Sequence, residues 1–351
     1  MRLGVNRRYV SQPVTGVQRY AESIYDELCA IGAVSPDLEI VPLTTVSGRF
    51  SSRIWELWQM ARDGRRLGCD VNLSMCNWSP VVEASKSIVV IHDVLERDFR
   101  DMYTASYRYS RAGYLRAIRQ SDAGVVTVSE KSRIALESVL QRPVDVVPGG
   151  VNVPTLDNLE ATRSRVNDEL LDRDYALFIG AHDARKNLEF CLRLLPFFES
   201  RNMSLCVTAR RNGSGFSSIG GGHVAQAMES SAVVVLMDPS DDDLAGLYAN
   251  ARVLVHPSLA EGFGLPLLEA MAWGTPFVST DCGVARSIAP DERMIQPLRV
   301  LDWERALSSQ LDAGRSSSND LRRAAEKWSW SNAARSLLTI CERKAHDVHA
   351  G

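Results

Sequence analysis

The sequence predicts an α/β protein made of two doubly wound, parallel-sheet domains, and three observations predict it. The chain has 351 residues, about two domains' worth, each able to bury a core of its own. Short apolar runs such as Ser87 to Ile91, Tyr175 to Gly180 and Arg252 to His256 read as strands covered on both faces. Helix-period segments separate these runs, the rhythm of strand–helix–strand units rather than of hairpins.

Composition narrows the function. Hydrophobic residues make up 45% of the chain and charged residues 24%, as in a soluble globular protein. A net charge of −3 argues against a dedicated nucleic-acid binder, whose domain is usually basic. No apolar run reaches the roughly 18 residues that span a bilayer, and Met1-Arg2-Leu3-Gly4 does not begin a signal peptide. The seven cysteines are scattered and never in C-x-x-C spacing, so they are expected to be reduced core residues in a cytoplasmic protein.

In the first half, Arg2 to Val5 reads as the opening strand. The helix after it puts Val17, Tyr20, Ala21, Ile24, Leu28 and Ile31 on one face. Gly16 opens that helix, where backbone can approach a phosphate or where a glycine simply caps. Ser52 to Leu67 is expected to be helical and Val71 to Ser74 a strand. The strand Ser87 to Ile91 ends in His92-Asp93, at the edge where open α/β sheets present ligand groups; the plain alternative is a hydrogen-bonded structural histidine. Arg97 to Arg119 is the most basic stretch, with tyrosines interleaved. It reads either as a patch for an acceptor or a membrane surface, or as a solvated helix with packed tyrosines. Ala123 to Val128 is a strand, and Ser129 caps the next helix with Ser132 in its first turn. After the strand Val144 to Val147, apolar period falls between about Gly149 and Leu170, which predicts a hinge.

In the second half, the strand Tyr175 to Gly180 leads to Arg185-Lys186, just ahead of a helix expected from about Asn187 to Leu195. Two cations there oppose the helix dipole unless an anion accompanies them. Met203 to Ala209 reads as a strand and Arg210 to Gly222 as a loop; Gly213 and Gly215 begin a nucleotide-like pattern that Ser218 breaks. Asp241-Asp242-Asp243 suits the first turn of a helix better than a metal motif. No cluster has metal-ligand spacing.

The most informative stretch runs from His256 to Ser279, HPSLAEGFGLPLLEAMAWGTPFVS. It follows the strand Arg252 to His256 and reads as a tight glycine loop, a short helix and another strand. Pro266 suits the helix's first turn and Gly274 its left-handed end. Glu261 in the loop and Glu269 on the helix stand eight residues apart. Gly262-Phe263-Gly264-Leu265 can bring backbone N–H groups against a ligand at a helix N-terminus. Acids for hydroxyls beside donors for phosphate suit a sugar joined to a diphosphate.

Here the chain resembles glycosyltransferase family 4, the retaining GT-B enzymes with an E-x7-E motif, seen as EGFGLPLLE with flanking HPS and EAMAWGTP. The segment FIGAHDARKNLEF is similar to the part of the family that holds the donor diphosphate, and TVSEKS to the pattern closing the first domain. The resemblance is tight from about Phe178 to Asp281, looser before that, and fades after Ala289-Pro290. It implies a GT-B fold: residues 1–155 as an acceptor-side Rossmann-like domain, 156–327 as a donor domain, the two facing a cleft, and 328–351 as a helix packing back toward the first. It implies Glu261, His92, Arg185 and Lys186 in catalysis, with Asp93 a further sugar contact. Gly16, Gly180, Arg185, Lys186, Phe263, Gly264, Leu265 and Glu269 would bind the donor, a nucleoside diphosphate sugar, without metal. The expected activity is transfer of a hexose, mannose or rhamnose by general likeness, to a glycan or lipid-linked acceptor in bacterial surface polysaccharide synthesis. A peripheral association with the inner membrane face is compatible with it. A non-catalytic sugar-nucleotide-binding module and an epimerase on the same scaffold are the alternatives.

Overall fold

A computed structural model describes residues 1–44, 52–163, 173–181, 183–209, 229–313 and 318–350. The expected loop Arg210 to Gly222, the hinge beyond residue 163 and His182 lie outside the described residues. The chain divides into two compact units, one of Met1–Gly150 with Trp328–Gly351 and one of Val151–Lys327.

The first unit holds six parallel strands: β1 (Arg2–Asn6), β2 (Glu39–Leu43), β3 (Val71–Ser74), β4 (Ser87–Val90), β5 (Gly124–Thr127) and β6 (Asp145–Val146). Their order is β2-β1-β3-β4-β5-β6, so the winding reverses between β1 and β3. Leu3, Val5, Leu73, Val89 and Val125 are fully or almost fully buried, as expected for strands sandwiched between helices. The helix Gly16–Val34 buries Tyr20, Ala21, Ile24 and Leu28, four of the six residues placed on one face by their spacing. The closing helix Trp330–Ala350 belongs to this unit and packs on Gly16–Val34. Its Trp330 ring meets Tyr20 edge-on at 5.9 Å, and Lys344 Nζ donates to the Asp122 carbonyl at 2.6 Å.

The second unit holds β7 (Tyr175–Ile179), β8 (Ser204–Ala209), β9 (Val233–Met237), β10 (Val253–His256) and β11 (Phe277–Ser279), all parallel. Their order is β11-β10-β7-β8-β9. The winding therefore runs outward from β7 through β8 to β9, then restarts on the other side of β7. The reversal between β7 and β10 leaves a crevice at the carboxyl ends of those two strands, where open α/β sheets bind ligands. Beneath it, Phe178, Phe198, Leu205, Val255 and Trp303 form a buried core, and Trp303 Nε1 donates to the Pro297 carbonyl at 2.9 Å.

Two expected helices differ in detail. The one expected from Asn187 to Leu195 ends at Leu192 and a second runs Leu195–Ser200. Pro196 explains the break, because it has no N–H for the Leu192 carbonyl and its ring would strike that oxygen. Within Ser52 to Leu67, residues Trp55–Gln59 adopt a π-helical turn between α-helical segments. Asp241-Asp242-Asp243 do form a helix first turn, with Ser240 and Asp243 in a reciprocal capping box.

Gly150, inside the stretch that the sequence reads as a hinge, has a packing role. A Cβ there would lie 2.4 Å from Trp330 N and 2.5 Å from Ser329 C, both backbone atoms that cannot rotate away. Gly150→Ala should therefore destabilise the protein by about 1–3 kcal/mol through forced backbone displacement. A urea unfolding midpoint equal to that of the unaltered protein would disprove this.

Candidate functional site

At the crevice of the second unit, two loops are tied together. After β7, Ala184–Lys186 form a 3-10 turn capped by Asp183, and Asn187 follows in the left-handed region at φ 58°. After β10 comes Pro257 to Gly264. Lys186 Nζ donates to Glu261 Oε1 at 2.5 Å. Leu259 N donates to the Arg185 carbonyl at 2.8 Å, and Asn187 Nδ2 to the Pro257 carbonyl at 3.3 Å. Ser258 Oγ gives Glu261 Oε1 a further hydrogen bond at 2.7 Å. His256, the last residue of β10, places Nε2 3.2 Å from the same oxygen. That nitrogen is at ion-pair distance but off the line for a hydrogen bond.

These contacts set the electrostatics. Burial pushes the Glu261 carboxyl up, but Lys186 and His256 outweigh it and hold the group well below the usual carboxylate range. Burial pulls His256 down, while Cys282 and Glu261 raise it, and the net direction is up. Arg185 is held by its neighbour: Nη2 lies 2.5 Å and Nε 3.1 Å from the two oxygens of Asp183. The cation pair that opposes the helix dipole in sequence is thus accompanied by two anions of the chain itself, Asp183 and Glu261. The anion that the sequence argument asked for is thus supplied within the chain.

The remaining second-unit residues singled out from sequence follow β7 and β10 in the chain. Gly180 follows β7 at φ 91° and Gly264 precedes the helix Leu265–Ala272 at φ 108°, conformations open to glycine at no steric cost. That helix has Pro266 in its first turn and no side-chain cap. Phe263 is buried, and its carbonyl accepts from Val284 N at 2.9 Å. Glu269 Oε2 accepts from the buried Tyr248 hydroxyl at 2.7 Å. Sequence reasoning assigned no role to His256, Ser258, Asp183, Tyr248 or Gly283. Gly283 supports the loop directly, since a Cβ there would stand 2.0 Å from the Phe263 carbonyl oxygen and 3.1 Å from Glu261 Cβ. The HPS tripeptide was a visible signal for the first two; Gly283 follows β11 with no local motif.

In the first unit, His92 is buried and its Nε2 donates to the Met75 carbonyl at 2.8 Å. Burial, the largest influence, lowers its pKa, so the ring is neutral and Nδ1 carries the lone pair. Gly16 is exposed at the start of its helix, where Thr15 and Gln18 already form a capping box. Asp93 Oδ1 accepts from Leu95 N at 3.3 Å. A buried charged cluster went unnoticed in the sequence. At the β1–β3 reversal, Glu56 in the π-helical turn accepts from Asn6 at 3.1 Å and Arg8 at 2.5 Å. Among the described residues, no group of three or more His, Cys, Asp or Glu side chains is placed to hold a metal ion.

Residues 173–312, most of the second unit, match the family described as Glycosyl transferases group 1. The chain has the fold of GT-B glycosyltransferases, and over residues 173–312 the resemblance to a glycosyltransferase family read from EGFGLPLLE is borne out, the retaining chemistry and the motif's role aside. Over 119 residues it is 38% identical to the MMP alpha-(1->4)-mannosyltransferase of Mycolicibacterium hassiacum, covering 32% of this chain and 29% of that one. Over 179 residues it is 28% identical to the O-antigen chain mannosyltransferase B of Escherichia coli, covering 49% and 46%. The chain thus spans less than half the length of either of these relatives. The solved structure of Anabaena HepE in complex with UDP and glucose shares the fold at TM-score 0.70 and 12% identity, covering 98% of this chain and 100% of that one.

The clasp makes a stability prediction. Lys186→Met leaves the Glu261 carboxylate buried without its main counter-charge, and breaking such a pair costs about 3–5 kcal/mol. In the unaltered protein, the depressed Glu261 pKa contributes stability above the unfolded carboxylate range and loses it as pH falls through the folded value. In the variant that contribution is missing and burial favours the protonated acid. The stability deficit should therefore be largest near neutral pH and narrow toward about pH 5. Urea unfolding at the two pH values measures it, and an equal deficit at both would exclude the assigned charge pairing.

Proposed function

We propose that the protein is a retaining hexosyltransferase. It moves a hexose, mannose or rhamnose, from a nucleoside diphosphate sugar to a hydroxyl of a glycan or lipid-linked acceptor in bacterial surface polysaccharide or glycoconjugate synthesis. The observation that carries this reading is the Lys186–Glu261–His256–Ser258 network at the β7–β10 reversal, beside a helix N-terminus without a side-chain cap. The mannosyltransferase relatives support the sugar, and the UDP and glucose bound by HepE support the donor class.

In the proposed reaction the bond from the anomeric carbon to the diphosphate oxygen breaks, leaving positive charge on the ring and negative charge on the leaving group. Lys186 has two ammonium protons besides the one given to Glu261, and Arg185 brings a second cation to the same turn. These, with backbone N–H groups of Gly264 and Leu265 and the approach allowed by Gly180 and Phe263, would stabilise the departing anion. Glu261 would orient sugar hydroxyls and support the cationic ring, and Glu269 would accept from the ribose hydroxyls. The acceptor oxygen bonds to the anomeric carbon on the face the diphosphate leaves, and its proton passes to a leaving phosphate oxygen. The charges are met by the chain's own groups, so this scheme invokes no metal. The first unit would hold the acceptor, with the neutral His92 and Gly16 as ligand contacts, and the enzyme would work in the cytoplasm. An epimerase would need an acid and a base free on opposite sides of the sugar, whereas Glu261 and His256 are engaged with each other.

Thermal unfolding with GDP-, UDP- and dTDP-sugars should rise for the matching donor by mass action. With that donor, Glu261→Ala should lower kcat by about 100- to 1,000-fold, the size of effect seen when a fixed charge-stabilising group is removed. Glu269→Ala should instead act mainly on donor KM. Protein that no sugar nucleotide stabilises, or a Glu261→Ala variant with undiminished turnover, would sink the reading.

A further inference from the structure

A second feature lies in the first unit, apart from the network just described. The segment Glu96 to Arg100 and the helices Ala105–Gln120 and Glu130–Leu140 line an open groove of about 1010 Å³. Arg97, Arg100, Arg108, Arg116 and Arg119 all face it. Arg108, Arg116 and Arg119 fall on one helical stripe with the lining residues Ala112 and Leu115.

Charge balance sets this groove apart. Many arginines elsewhere are matched by acids, among them Arg2 with Glu39, Arg7 with Glu22, Arg133 with Glu130 and Glu137, and Arg343 with Asp145. Among the described residues, none of the five groove arginines forms an ion pair, and Arg119 reaches only the neutral Gln141 side chain. The two acids in the lining are Glu96 and Asp98. Glu96 is spoken for, with Oε1 3.4 Å from the Nε of the fully buried Arg111. Arg108 Nε is shielded from solvent with no hydrogen-bond partner among the described residues. A chain of net charge −3 thus concentrates unmatched guanidinium groups in one concave place. Guanidinium forks match the paired oxygens of phosphates, and a focused positive field attracts them.

Exposed apolar and aromatic side chains in the same segments say what carries the phosphate. Tyr109, beside Arg108, is 79% exposed, and Met102 is 42% exposed. Ile134, one turn before the groove residue Ser138, is 59% exposed. A free phosphate gains nothing from such neighbours. A bilayer surface offers phosphate headgroups and an apolar layer a few ångströms below them, which suits arginine with tyrosine and aliphatic side chains. We propose that the groove seats the headgroups of anionic phospholipids and docks the first unit on a membrane surface. No described helix is long and apolar enough to cross a membrane, so this attachment is peripheral. It does not depend on the transfer reaction proposed above.

The test is co-sedimentation of the full chain with vesicles of phosphatidylcholine, with and without phosphatidylglycerol. Binding should require phosphatidylglycerol and weaken as sodium chloride is raised. In Arg116→Gln/Arg119→Gln, affinity should fall roughly fivefold per arginine, while thermal unfolding and its response to sugar nucleotides stay unchanged. Tyr109→Ser should weaken binding without changing its salt dependence. Equal binding to both vesicle types, or undiminished binding by the double arginine variant, overturns the proposal. So does a protein that ignores vesicles yet is stabilised by inorganic phosphate through these same arginines, since the groove is then a site for a soluble anion.

Discussion

The second unit depends on the contact between Lys186 and Glu261. The two residues lie 75 positions apart in the chain and meet at 2.5 Å because β7 and β10 are neighbours in a sheet that winds outward and then restarts. Desolvating two charges costs several kcal/mol per ion, so such a pair persists only with good geometry and further hydrogen bonds. Ser258 supplies a hydrogen bond and His256 a nearby ring, and the backbone link from Leu259 to Arg185 fixes the loops on either side. Asn187 accepts a left-handed conformation to join in, which is local strain spent on holding two loops in register. Gly283 completes the support from a third strand end, where any larger residue would push the Phe263 carbonyl and the loop with it.

Much of this was legible in the sequence because local chemistry dictated it. Parallel strands announce themselves as unbroken apolar runs, and Pro266 and Gly274 bracket a helix by what their backbones can and cannot do. The paired motifs around Lys186 and Glu261 stood out for the same reason, since glycine, proline and charge were packed into short windows. What escaped were partnerships between distant positions. Nothing near Arg185 in sequence says that Lys186 reaches a glutamate rather than a ligand, and nothing near Glu269 points to Tyr248 in another helix. Pro196 was in plain view and should have ended the helix beginning at Leu188. The π-helical turn at Trp55–Gln59 has no comparable local marker; it places Glu56 against Asn6 and Arg8, a tertiary demand that overrides helical preference.

The same contrast between local and distant partners separates the arginines of the basic stretch. Two readings of that stretch stood side by side in the sequence, and the structure divides it residue by residue. Arg111 is 1% exposed: Nη1 donates to the Asn77 carbonyl at 2.7 Å and Nη2 to the Asp93 carbonyl at 3.3 Å. It is a structural cation that pins the segment after β4, including the residue next to His92. Burial raises the Glu96 carboxyl and outweighs the opposing pull of Arg111, so burying this pair is costly rather than strongly favourable. Arg116 and Arg119 share a helix stripe with Leu115 but are exposed, and among the described residues neither forms an ion pair; Arg119 reaches only the Gln141 side chain. Periodicity could sort buried from exposed positions here, but only the tertiary partners reveal which charges remain unmatched.

The clasp also bears on how the proposed transfer would gain rate rather than mere affinity. An interaction accelerates a reaction only if it strengthens between bound substrate and transition state. A bare lysine at the crevice would hold the diphosphate tightly before any bond broke, which helps binding more than chemistry. Lys186 is instead already partly satisfied by Glu261, and Glu261 by Lys186, His256 and Ser258. As the anomeric bond lengthens, the leaving oxygens become more negative and the ring more positive. Each half of the ion pair then finds a stronger partner across the breaking bond than it has in the resting site. The pair is a fixed dipole with one end for each developing charge, positioned by the loops rather than by the substrate, so little reorganisation is needed at the moment of transfer. In the proposed transfer, the neutralised resting state, which first looks like a waste of two charges, would therefore favour the transition state over the bound donor.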